Sequence, residues 1–535
     1  ETMMLSLKDH KNVAKTAAAA CSALQNFCVM LSARSDPSAD AGDEVNNLLS
    51  RFTTEDGLSN LLARSKSEVT DAIVIYHHDE SNMERATGAL QAICVMREGL
   101  AMSFEEDSTI ELVLSAMNAY PDNANLQRQG IGILGLFFFV SDNFLSFLTD
   151  MLIATIMRFI EKEVGNDDCA VLIDTAINIL LVIANRGFQG VTVLLRSEKL
   201  VDAVVSCMFK YPNCPSVQGA GTDILSNISL DNYIRADVCQ RGGTSRILCA
   251  LKNLKHDPLL ACKAFAALAN LTSGSDDEIL RAPEAPAPAT LVRAMLAHPD
   301  DLAVQLGGAY AIWALSAKSD SFKHEIVGAG GAEAIADAMT RFVACKHMQG
   351  KGFVVIWSLA VPRPLKARVG QRAVGPVVNG LVAHMTSEKV CEEALGCIKC
   401  LSTIPANKDR LEELGAVDAI YACMWLHSGQ PGVCKAALAA LCNISVNVET
   451  NEVSEITAED LNAVVCAMRA HQTVKCLQES AIILLRNFTF SRGNVTILEA
   501  NHYVVPLVRS AMSNFNDHFQ GRAEDLLRVL PPIQQ

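Results

Sequence analysis

One frame recurs along most of the chain and limits what it can become. Asn227, Asn270, Ala314, Ser358, Cys400, Asn443 and Asn487 fall in one column, with steps of 43, 44, 44, 42, 43 and 44 residues. Two residues earlier stand Leu225, Leu268, Ile312, Ile356, Ile398, Leu441 and Leu485; one residue later stand Ile228, Leu271, Leu315, Leu359, Leu401, Ile444 and Phe488. All are large and apolar. Positions three apart share a helix face, so these columns predict a buried stripe on a helix that returns once per repeat. At 535 residues the chain is too long for one ordinary globular domain unless it is such an array.

Four members of the column create an N-x-[ST] signature: "SNIS" at 226–229, "ANLT" at 269–272, "CNIS" at 442–445 and "RNFT" at 486–489. The signature marks an N-glycosylation acceptor, which needs an accessible loop. Here its middle residue is a core position of a helix. The sequons are therefore expected to be repeat positions and not glycan sites.

The rest of the unit is readable around this helix. After Ser229 a polar turn leads to a short helix near Tyr233–Cys239, Gly242 and Gly243 break it, and a second helix runs through 245–254. His256-Asp257-Pro258 turns the chain, with proline placed to open a third helix from 258 to about 271. "GAGGAEAIADAM" (328–339) and "ELGAVDAIYACM" (413–424) again put glycine before a second helix, and "AHPDDLAVQ" (297–305) and "SGQPGVCK" (428–435) again precede a third. A 40–47-residue period marks armadillo or HEAT repeats. One short helix, a glycine and two longer helices resemble the armadillo repeat more than the two-helix HEAT repeat.

Fainter copies lie at 126–139, 176–187, 83–94 and 18–28. The resemblance implies an all-α, right-handed solenoid of about ten to eleven armadillo-type repeats. The organisation expected is an incomplete first repeat (1–30), a polar insert with irregular helices (31–66), divergent repeats (67–200), well-defined repeats (201–510) and a C-terminal capping helix (511–535). The insert includes "SARSDPSADAGDE" (32–44), of disorder-like composition. The first copy lacks its preceding helices, and an uncapped end exposes apolar surface. More chain, or a partner in a larger assembly, is expected before Glu1.

Net charge is −14, with no dense Lys/Arg run. That argues against nucleic acid, whose binders carry a basic face. The 18 cysteines sit mostly in apolar helical stretches. They read as thiols of a reducing, cytoplasmic compartment, with nucleus or cilium as alternatives, and not as a disulfide framework. The apolar run 131–160 is broken by Ser141-Asp142-Asn143 and Asp150. A spanning helix wants about 20 apolar residues, so two core helices joined by a turn are expected there and no membrane span.

The resemblance also says where function would sit. Third helices of armadillo solenoids line a groove that binds extended segments of other proteins, and a third-helix asparagine often holds the ligand backbone. Carried over by position, this implicates Asn227, Asn270, Asn443 and Asn487, unless they only bond neighbouring backbone. The column just before holds Ser226, Ala269, Trp313, Trp357, Lys399, Cys442 and Arg486. A column that accepts Ser, Lys and Arg is not core. Exposed tryptophan is enriched at binding hot spots, so Trp313 and Trp357 are expected to form a shared apolar platform in the groove, with Lys399 and Arg486 of the same column also among the partner-binding residues. The family's nuclear-import adaptors place tryptophan four residues before the asparagine. Here that column is Asp223, Ala266, Tyr310, Val354, Gly396, Ala439 and Ile483, which argues against recognition of basic localisation signals. The groove's Arg486, Lys399, Lys435 and Lys263 look balanced by Asp223, Glu392, Glu393 and Glu479.

Motifs for chemistry are weak. Cys397-Ile-Lys-Cys400, with Cys391 upstream, lacks a second pair for a four-ligand zinc site. "YHHDE" (76–80) reads as an exposed polar turn. Gly328, Gly330, Gly331 and "MQGKGF" (348–353) lack the strand and Lys-Ser/Thr of a phosphate loop. No metal, cofactor or catalysis is expected. The expected function is a protein-binding scaffold or adaptor. A structural part of a cytoskeletal or ciliary assembly, and a transport or GTPase-regulating adaptor, are the alternatives.

Overall fold

The computed structural model describes residues 66–67, 69–74, 78–99, 109–140, 150–272, 289–446, 453–515 and 520–530. The copy at 18–28 and the polar insert lie outside them. The chain divides into two compact units, Glu1–Asn253 and Leu254–Gln535.

The first unit contains α1 (Glu80–Gly99), α2 (Thr109–Ala119), α3 (Ala124–Val140), α4 (Asp150–Glu163), α5 (Ala170–Ala184), α6 (Gly187–Leu194), α7 (Leu200–Lys210), α8 (Pro215–Ile228), α9 (Asn232–Gln240) and α10 (Gly243–Asn253). Third helices stack on one another as α1, α3, α5 and α8, and second helices stack beside them as α2, α4, α7 and α10. The apolar stretch 131–160 thus contributes to two helices, α3 and α4, while the residues between them lie outside the described set. No described helix is long and apolar enough to cross a membrane.

The second unit contains α11 (Pro258–Thr272), α12 (Ala289–Ala297), α13 (Leu302–Ser316), α14 (Asp320–Gly328), α15 (Gly331–Arg341), α16 (Lys346–Ala360), α17 (Arg363–Ala383), α18 (Glu388–Leu401), α19 (Pro405–Glu413), α20 (Ala416–Leu426), α21 (Pro431–Ile444), α22 (Ala458–Ala470), α23 (Lys475–Phe488), α24 (Arg492–Ala500), α25 (Val504–Asn514) and α26 (Gln520–Val529). Its third helices form the ladder α11, α13, α16, α18, α21, α23, α26. Residue 511, where a capping segment is predicted to begin, falls inside α25, and α26 occupies a third-helix place. The architecture is an all-α solenoid.

The apolar columns are its core. Leu225, Ile312, Ile356, Ile398 and Leu485 are fully buried, as are Ile228, Leu359 and Leu401. The glycine before a second helix has a backbone cause. Gly242, Gly330 and Gly415 adopt φ of +82, +89 and +70°, a region L side chains avoid, and this lets the chain turn within one residue. One repeat departs from the predicted grammar. Its first and second helices are fused in α17, which runs through Gly375 and Pro376 without a left-handed break. Between Ser445 and α22 the described residues hold no first helix; Val446 pairs with Val453 in an isolated bridge instead.

Second and third helices are joined by a buried glutamine. Gln127, Gln218, Gln305, Gln349 and Gln478 each donate from Nε2 to two carbonyls that end the preceding second helix, ten and seven residues earlier, at 2.7–3.1 Å. They satisfy carbonyls that have no partner within the helix. Successive repeats are joined by histidine. Nε2 of His298, His384, His427 and His471 bonds the main-chain oxygen of Lys255, Val343, Met385 and Ser428, respectively, at 2.7–2.9 Å.

Candidate partner-binding face

The four sequons of this column lie at the C-terminal ends of third helices α8, α11, α21 and α23. Their hydroxyls turn back on their own helix: Ser229 bonds Leu225 O at 2.6 Å, Thr272 bonds Leu268 O at 2.8 Å, and Thr489 bonds Arg486 O at 2.7 Å. Their asparagines reach the preceding repeat. Asn443 Nδ2 donates to Lys399 O at 3.0 Å, Asn487 Nδ2 to Ser445 Oγ at 3.2 Å, and Asn227 Nδ2 to Asn185 Oδ1 at 2.9 Å. Where the column holds serine, Ser358 Oγ meets Ser316 Oγ at 2.8 Å. The column's first role is thus repeat-to-repeat bonding. Asn270 is half-buried on α11.

The column before it is not uniform. Trp313 and Trp357 remain 39% and 45% exposed and Lys399 is exposed, but Ser226 is buried. The prediction that this whole column lies outside the core therefore fails at Ser226. Trp313 and Trp357 stand on adjacent third helices, α13 and α16, and each meets the next repeat differently. Lys351 Nζ lies 3.9 Å from the Tyr310 ring centroid and 4.3 Å from that of Trp313, a cation–π arrangement. Burial pushes the Lys351 amine below its usual range, with Lys389 adding to the shift and Glu393 opposing it. Trp357 instead lies along α18, where its six-membered ring passes within 3.5 Å of where a Cβ on Gly396 would sit. A Cβ there would meet the indole at ordinary van der Waals distance. Tyr310 and Gly396 both belong to the column where import adaptors carry tryptophan.

Beyond Trp357 a cleft of about 530 Å³ opens, lined by Lys366, Glu392, Lys399, Lys435 and Asn443 among others. Three ammonium groups face it against one carboxylate. Lys366 Nζ bonds Thr403 Oγ1 at 3.1 Å. The predicted balance of charge therefore fails locally: Glu479 is paired with Arg522 at 3.6 Å, and burial raises the pKa of Glu393, which faces Lys389 and Lys351. Arg486, expected among the partner-binding residues, pairs with Asp525 on α26 at 3.4 Å and lies over Phe490. It is engaged within the chain.

Gly330, read as a repeat turn, is the left-handed residue preceding α15. Within 76–80, His77 lies outside the described residues, and Asp79 Oδ1 accepts from Asn82 N at 3.1 Å. Cys397 is fully buried, and the thiol of Cys400 approaches Ala360 O at 3.7 Å. One group was missed in the sequence: Cys391, Cys423 and His427 offer ligating atoms that all lie within 4.8 Å of one another.

No curated protein matches the chain. Residues 72–278 match the family model described as LRRK2 ARM repeat. Among solved structures, a chain from work showing that a conserved phosphorylation switch controls the interaction between cadherin and β-catenin superposes with a TM-score of 0.69 at 12% identity, covering 96% of each chain. A designed armadillo repeat protein and another in complex with the peptide (KR)4 cover 46% of this chain and 99% of their own, at 17% and 16% identity and TM-scores of 0.39. The 42–44-residue frame, the stacked helices and the superposition over 96% of the chain converge on one fold, an armadillo-type α-solenoid, in which residues 72–278 match the armadillo-repeat model.

Proposed function

We propose that the chain is a non-catalytic scaffold that binds an extended, acidic segment of another protein along the third-helix face of its second unit. The observation that carries this reading is the cleft beside Trp357, where Lys366, Lys399 and Lys435 face a single carboxylate, Glu392. The chain is acidic as a whole, so a local cationic cleft next to exposed indoles marks one stretch of surface as different. Apolar burial against Trp357 and Trp313 supplies affinity, the lysines select carboxylates, and Asn443 Oδ1, unused by its bond to Lys399, can accept a ligand N–H. The cadherin–β-catenin likeness supports a protein partner at the level of fold. The test is selection from a displayed library of random peptides. Enrichment of acidic sequences with apolar residues that no longer bind K366E/K399E/K435E supports the reading; basic or unselective enrichment refutes it.

The structural-assembly alternative rests on a different surface. Trp425 and Leu426 on α20 and Val382 on the adjoining α17 are 58, 54 and 53% exposed, an apolar patch on the second-helix side. Loss of a stoichiometric partner in W425A, with peptide selection unchanged, favours that reading.

A further inference from the structure

The glutamine column changes chemistry in two successive repeats. Where Gln349 and Gln478 bond the end of the second helix, the equivalent positions are Cys391 on α18 and Cys434 on α21. Cys391 Sγ approaches the oxygens of Met385 and His384 at 3.2 and 3.6 Å. A thiol is a weaker donor than an amide, so the exchange weakens the joint. It places a sulfur beside two other ligating groups instead. Cys423 lies in the last turn of α20 and His427 follows as its C-terminal cap. Cys391 Sγ stands 3.8 Å from His427 Nε2, and all three ligating atoms fall within 4.8 Å. In a tetrahedral site with Zn–S of about 2.3 Å and Zn–N of about 2.1 Å, the S···N edge is about 3.6 Å. Both sulfurs are buried, while His427 is half-buried and leaves a way in. The thiolate is the form a metal requires.

We propose that Cys391, Cys423 and His427 form a binding site for a thiophilic divalent cation of the Zn2+ class. Two thiolates and an imidazole suit such an ion, and water fills the fourth position. Binding releases the two thiol protons to solvent, and the imidazole proton moves to Nδ1 so that Nε2 can ligate. His427 Nε2 otherwise bonds Met385 O at 2.8 Å as part of the inter-repeat ladder. The ion therefore replaces one ladder bond with a cross-link between α18 and the end of α20.

The test is a Co2+ titration of the reduced, full chain. Thiolate-to-cobalt charge-transfer absorption is expected to saturate at one equivalent and to be bleached by Zn2+. It should vanish in C391S/C423S and persist in C249S/C476S, which removes two exposed cysteines. A second measurement uses only the wild-type chain. With free Zn2+ tenfold above its dissociation constant, alkylation of Cys391 and Cys423 by N-ethylmaleimide should slow about tenfold by mass action, read by peptide mass spectrometry. Absence of the saturable absorption, its persistence in C391S/C423S, or unchanged alkylation overturns the proposal.

Discussion

Asn443 donates from Nδ2 to the main-chain oxygen of Lys399 at 3.0 Å, joining the third helices of two successive repeats. The same asparagine begins an N-x-S sequon whose serine is buried and bonds Cys442 O at 3.3 Å. A motif that advertises a glycan acceptor is here a device for ending one helix and tying it to its neighbour. Asn443→Ala removes one such bond. A net loss of about 1 kcal/mol is expected, read as a lower denaturant midpoint with an unchanged slope. An unchanged midpoint would show that the column holds nothing together.

The glutamine joints should matter more. Gln349 is fully buried, and its Nε2 serves Met339 O at 2.7 Å and Phe342 O at 3.1 Å. Gln349→Ala leaves the buried Met339 O without its donor, while Phe342 O keeps the Cys345 N–H at 2.9 Å; the cost is about 1–3 kcal/mol. The expected result is a larger fall in the denaturation midpoint than Asn443→Ala produces; a smaller one would place the joint's strength elsewhere.

Acid should loosen the first unit through Glu163. Burial pushes its carboxyl upward, but hydrogen bonds from Cys169, Asn166 and Arg128 outweigh this and hold its pKa below the usual value. A carboxyl with a depressed folded pKa contributes stability that is complete above its unfolded pKa of about 4.3 and is lost as pH falls through the folded value. Glu163→Gln should therefore lower stability above that unfolded pKa and flatten the acid limb of the profile, so that the two proteins converge as pH falls. An identical acid limb in both proteins would remove Glu163 from the account.

The fold was legible because its information is local and periodic. Columns such as Leu225 to Leu485 need only a repeat length to reveal a buried stripe. The fused α17 was not legible: Gly375-Pro376 reads as a break, yet the helix continues through it. Charge in the cleft escaped notice because Lys366, Lys399 and Lys435 are spread over three stretches of the sequence. Counting nearby acidic residues suggested balance, while the structure pairs Glu479 with Arg522. The Cys391–Cys423–His427 group has no ligand spacing to recognise. The only sequence signal was the replacement of glutamine by cysteine in one column.

Binding of a defined acidic peptide tests the scaffold reading most directly. A peptide from the displayed-library selection would be titrated into the wild-type chain, W313A/W357A and K366E/K399E/K435E, with circular dichroism confirming that each is folded. The expected result is loss of about 2–4 kcal/mol of affinity in the tryptophan variant. In the lysine variant, weaker binding and a reduced dependence on salt are expected. Equal affinity in all three folded proteins would contradict the account and move the function off this face.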